Sequence, residues 1–82
     1  MNSPLLRAAV IKILKDREDD PAPDKYIMLA LNVHYRIKPT FSELRSTMKD
    51  LDENGLLIGI HDDEVLVWGL SVKGKQKALS LS

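Results

Sequence analysis

The hydrophobic period of this chain switches at Asn54-Gly55. Ahead of that pair, Leu44, Met48 and Leu51 fall at i, i+4 and i+7, the spacing of one helix face. Behind it, Leu56, Ile58 and Ile60 alternate, as do Leu66, Trp68 and Leu70. An alternation of two is the spacing of strands, and the His61-Asp62-Asp63-Glu64 run between the two sets predicts a β-hairpin with a polar tip. A chain of 82 residues cannot divide two hydrophobic cores between separate units. The helices and the hairpin must therefore share one core, in a single domain over residues 1–82.

The segments before the switch read as three helices. Ser3-Pro4 has the form of an N-cap followed by proline at the first helical position, where the missing N–H costs nothing. Leu6, Val10, Ile13 and Leu14 then recur at helical spacing, predicting a helix from about Pro4 to Arg17. The acidic, proline-punctuated stretch Glu18-Asp19-Asp20-Pro21-Ala22-Pro23 reads as a loop. Asp24 is placed to cap a second helix with Tyr26, Leu29, Ala30 and Val33 as its buried stripe. That helix ends near Tyr35, because Lys38 precedes Pro39 and is pushed from helical angles. Thr40-Phe41-Ser42-Glu43 matches a capping box opening a third helix over about residues 41–54. Asn54-Gly55 supplies its left-handed stop. After the hairpin, Ser71 can cap a short helix carrying Lys73, Lys75, Lys77 and Leu79.

Composition narrows the function classes. Twelve basic and twelve acidic side chains cancel, which excludes a histone-like polycation but not a local basic patch. The chain has no cysteine, which removes disulfides, thiolate metal sites and a cysteine nucleophile. Its apolar runs are far shorter than the ~20 residues a membrane helix needs. Met1 to Leu6 lacks a basic run followed by an apolar stretch, so no export signal is read and a soluble, cytoplasmic protein is expected. No Gly-rich phosphate loop, nucleophile elbow or paired catalytic carboxylate motif stands out. Neither an enzyme nor a cofactor is expected.

The element order, helix–helix–capped helix–hairpin–short helix, resembles the α+β winged helix-turn-helix domain of prokaryotic transcription regulators. Thr40-Phe41-Ser42-Glu43-Leu44-Arg45, Met48, Leu51 and the Asn54-Gly55-Leu56-Leu57 stop carry the resemblance. Leu70-Ser71-Val72-Lys73-Gly74 is similar to the Leu-Ser/Thr-x-x-Gly that follows the wing in many such regulators. More loosely, the chain is similar to small winged-helix proteins of Mu-like prophages.

The resemblance implies a third helix in the major groove of double-stranded DNA and a wing along the backbone or minor groove. On the outer face of that helix, Arg45 suits a guanine edge, while Thr40, Ser42 and Ser46 suit phosphate or base-edge hydrogen bonds. Lys49 suits a phosphate. Arg36 and Lys38 before the helix, with Lys73 and Lys75 after the wing, are the flanking cations. A homodimer is expected on symmetry grounds, since pairing doubles the base contacts. The first helix and residues 79–82 are its candidate interface.

The wing departs from the family pattern. Asp62, Asp63 and Glu64 occupy its tip, where phosphate neutralisation calls for Arg or Lys. The same acids, with zero net charge, motivate the alternative of a winged-helix protein-interaction module without DNA binding. His61 beside three carboxylates lacks a recognised metal-ligand spacing, and a polar hairpin tip is the simpler reading. His34 is expected to be capping or half-buried, and Trp68 and Met48 to lie in the core.

Overall fold

The computed structural model describes residues 4–18 and 20–81. Its elements are α1 (Pro4–Asp16), β1 (Ala22–Pro23), α2 (Asp24–His34), α3 (Phe41–Glu53), β2 (Leu57–Asp62), β3 (Val65–Leu70) and α4 (Val72–Ser80). The expected cap at Ser3 lies outside the described residues. The first helix buries Leu6, Ala9, Val10, Ile11, Ile13 and Leu14, a wider arc than its four-residue stripe predicts. The reason is its position: α1 packs against α2, α3, α4 and β3 at once. It closes at Asp16, and Arg17 turns back to donate to the Asp20 carbonyl and carboxylate at 3.0 and 2.8 Å.

Three expectations around α2 need correction. Ala22-Pro23 is not loop but a short edge strand, with Ala22 opposite Trp68 and Pro23 opposite Val67. An edge strand tolerates proline because one side of its backbone has no ladder to complete, and Ala22 is small enough to be fully covered there. Asp24 is not the N-cap, which falls on Pro23 without a side-chain bond. Its carboxylate instead accepts the Trp68 indole N–H at 3.0 Å. The buried face is Ile27, Ala30 and Leu31, whereas Leu29 and Val33 are 60% and 62% exposed. Tyr26 is exposed at its edge and covered by the Arg17 guanidinium, 4.2 Å from the ring centroid. This helix is apolar around most of its circumference, so spacing alone leaves its phase open and the neighbours decide it. Of the two expectations for His34, the structure places it exposed in the last turn of α2, the helix end where a capping histidine sits.

The third helix follows its sequence closely. Leu44, Thr47, Met48 and Leu51 are buried, and Gly55 takes φ 75°, a left-handed conformation that glycine enters without penalty. The Leu56 N–H then donates to the Leu51 carbonyl at 2.9 Å, closing the helix end. The Arg7 guanidinium lies 3.8 Å from the Asp50 carboxylate, between α1 and α3.

The antiparallel sheet has the order β1-β3-β2. Leu57 faces Leu70 and Gly59 faces Trp68, while Ile58 faces Gly69 and Ile60 faces Val67. Directly opposed residues share a face, so the two alternating sets seen in the sequence lie on opposite faces of the hairpin. Leu57, Leu70 and the half-buried Trp68 pack inward; Ile58, Ile60 and Val65 look outward and are exposed. His61 and Asp62 belong to β2, which leaves Asp63-Glu64 as the turn, with Asp63 at φ 56°.

The last helix is seated by a local motif. The Ser71 hydroxyl oxygen accepts the Gly74 N–H at 3.0 Å, and its O–H donates to the Gly55 carbonyl. Gly74 is buried against Leu56 so closely that a Cβ there would overlap the Leu56 carbonyl oxygen. Three helices, a small sheet with a projecting hairpin, and a closing helix make an α+β winged-helix fold. Gly74→Ala forces backbone apart at this contact and is expected to destabilise by roughly 1–3 kcal/mol. A fall in the urea midpoint at unchanged m-value checks it; an unchanged midpoint contradicts the packing described.

Candidate nucleic-acid interface

The outward side of α3 is organised by its own first turn. The Thr40 hydroxyl oxygen accepts the Glu43 N–H at 3.1 Å, and the Glu43 carboxylate accepts the Thr40 N–H at 3.0 Å. Both expected halves of the capping box are therefore made. The Thr40 N–H, and then the Thr40 side chain, hold the Glu43 carboxyl below its ordinary range. Two side chains near the helix start are thus occupied in holding the helix.

With Leu44, Met48 and Leu51 anchored inward, Ser42, Arg45, Ser46 and Lys49 are left exposed outward. Phe41 stands beside them, 50% exposed. Lys49 lies 4.0 Å from Glu53 one turn on, both well solvated, a geometry worth little in water. Lys38 and Arg36 are exposed in the segment leading into the helix, Arg36 at φ 54°.

The nine predicted residues do not form one patch. Thr40, Ser42, Arg45, Ser46 and Lys49 share α3 or its cap, and Lys38 lies two residues ahead of that cap. Lys73 sits at the opposite end of α3, where its Nζ donates to the Asn54 carbonyl at 2.9 Å. A cation there complements the negative end of the helix dipole. Lys75 borders a different depression, together with Lys15, Glu18 and Leu79 on the α1–α4 side.

Between α3, the start of α2 and the wing runs an open groove of about 530 Å³. Arg45, Phe41 and Lys25 line it with Pro23, Asp24, Glu64, Val65 and Leu66. Of these, Phe41, Lys25, Val65 and Leu66 are not among the residues that the sequence pattern marks for DNA. Phe41 falls three residues before Leu44, on the line of the buried stripe, so periodicity points it inward. At the first position of the helix there is too little protein beside it to cover the ring. Its place directly after the cap is the signal that marks it. Among the groove acids, Asp24 is bonded to the Trp68 indole, whereas Glu64 is exposed at the wing turn.

Among the described residues, no three His, Cys, Asp or Glu side chains converge as a metal site. No described helix is long and apolar enough to cross a membrane.

The crystal structure of SSV1 F-93 superposes on this chain with a TM-score of 0.78, covering 99% of this chain and 88% of that one at 19% sequence identity. Likeness at that identity establishes a shared winged-helix architecture. No protein-family model matches the sequence, and no curated protein matches it.

Thr40→Ala removes an N-cap and is expected to lower stability by about 1 kcal/mol, measured by chemical denaturation. The Glu43 carboxyl, with its value depressed by folding, stabilises the cap above the ordinary carboxylate range. That contribution disappears as pH falls through the depressed value. An NMR titration of the Glu43 side chain should show a midpoint below that of a model peptide. A midpoint at or above the peptide value contradicts the capping box.

Proposed function

We propose that this chain is a small sequence-specific DNA-binding protein, a transcriptional regulator of prokaryotic or phage type, working in the cytoplasm as one winged-helix unit. The observation that carries the reading is the outward face of α3. It offers an exposed Arg45 flanked by Ser42 and Ser46, on a helix whose other side is locked into the core. A rigid helix presenting a fork of N–H donors and short hydroxyls matches the edges and phosphates of a major groove. Arg45 takes a guanine, Ser42 and Ser46 take base edges or phosphate, and Thr40 adds a phosphate contact at the cap. Lys49, Lys38 and Arg36 neutralise phosphates, and Lys73 and Lys75 form a separate set of cations on α4.

The wing contributes less than in a basic-winged regulator. Asp62, Asp63 and Glu64 are exposed at or beside its turn, and like charge keeps them from the backbone. A homodimer would double the half-site contacts. The exposed Leu5 on α1 and Leu79 on α4 are apolar groups that a pairing through the first helix and residues 79–82 would cover.

A second reading, a winged-helix module that binds protein, is favoured by one specific observation. Ile58, Ile60 and Val65 are exposed together on the outer face of the wing, an apolar stripe that DNA has little use for.

Titration of a random-sequence duplex at low and physiological salt separates the two. DNA binding predicts affinity that falls steeply with salt. Once a preferred site has been selected from random duplexes, Arg45→Ala should relax discrimination at one base pair, by roughly 1–3 kcal/mol. Lys49→Ala should weaken all sequences alike and flatten the salt slope. No binding at low salt removes the DNA reading and leaves the protein-binding one.

A further inference from the structure

We infer that Phe41 is a specificity-determining residue of this interface: its ring packs on the C5-methyl of a thymine close to the guanine taken by Arg45. The inference rests on the DNA reading and adds a base that the sequence patterning did not assign. Phe41 is 50% exposed, although the inner face of α3 is already closed by fully buried Leu44, Met48 and Leu51. The exposed face otherwise carries Ser42, Arg45, Ser46 and Lys49, with the acids Asp52 and Glu53 confined to its last turn. Phe41 borders the apolar side of the groove with Pro23, Val65 and Leu66, and Arg45 stands beside it as a fork of donors. The pair offers an apolar contact next to a hydrogen-bonding one, and so complements a surface that is itself polar with isolated methyls. The major-groove floor is such a surface, and thymine is the base that places a methyl there.

Spacing supports the pairing with Arg45. The two residues are four apart in one helix, hence on neighbouring turns of the same side, and both line the groove between α3 and the wing. Four residues advance the helix by about 6 Å. Successive base pairs are about 3.4 Å apart, so the thymine falls one or two steps from the guanine. The capping box fixes the backbone on either side of Phe41, so the ring is presented from a rigid turn.

Deoxyuridine in place of thymine removes the methyl and nothing else, which makes it the probe. Duplexes are first selected from a random pool with the wild-type protein. Each thymine of the preferred site is then replaced singly by deoxyuridine, and affinities are measured for wild type and for Phe41→Ala. At one thymine, one or two steps from the guanine sensed by Arg45→Ala, loss of the methyl should weaken wild type about fourfold. Phe41→Ala should not respond at that position, and should keep the wild-type salt slope on random duplex, which shows that it is folded. Sequence-selective binding with no methyl-sensitive thymine, or equal sensitivity in Phe41→Ala, overturns this inference while leaving the DNA reading intact. Absence of salt-dependent binding to any duplex overturns both.

Discussion

The Leu56 carbonyl is the junction on which the architecture turns. It accepts the Ser71 N–H at 3.0 Å and lies against Gly74 with no room for a side chain between them. Ser71 also caps α4 and bonds the Gly55 carbonyl, while Lys73 reaches the Asn54 carbonyl. The exit of α3 and the entry of α4 are thereby tied together residue by residue. The hairpin between them has to leave and return to the same point, and its two six-residue strands do so. The angle between the wing and α3, and so the groove between them, depends on this junction.

Hydrogen bonding also conditions the electrostatics of that groove. Of the carboxylates around the start of α3, Glu43 is held by Thr40 and Asp24 by Trp68. Each serves the fold, anchoring a helix start or pinning the wing's aromatic to α2. Arg45 and Lys38 are exposed, and neither is drawn into holding the helix start. The acids at the wing turn are exposed and share the sign of a phosphate backbone, which is why the proposed DNA contacts concentrate on α3 and its leading segment rather than on the hairpin tip.

What could be read directly from the residues shares one property: its partners are close in sequence. The capping box spans four residues, as does the Ser71–Gly74 cap. The stop at Gly55 depends on one glycine taking a left-handed turn. The hairpin follows from alternation around a polar tip. Such interactions are decided by backbone geometry within a turn or two, so residue type and spacing are enough. The winged-helix order is the sum of these local decisions.

What only the tertiary structure decided involves partners far apart in the chain. The apolar girdle of α2 allowed several phases, and packing chose Ile27, Ala30 and Leu31 while leaving Leu29 and Val33 in water. Ala22-Pro23 became a strand because β3 arrives from more than forty residues away to pair with it, as Trp68 does with Asp24. The candidate cations were equivalent as a list, yet the fold sends Lys73 and Lys75 away from the start of α3 and opens Phe41 beside Arg45. The local free energy of a turn is written in its own few residues. Which of several apolar faces is buried is a property of the whole core, since burial depends on what else arrives to exclude the water.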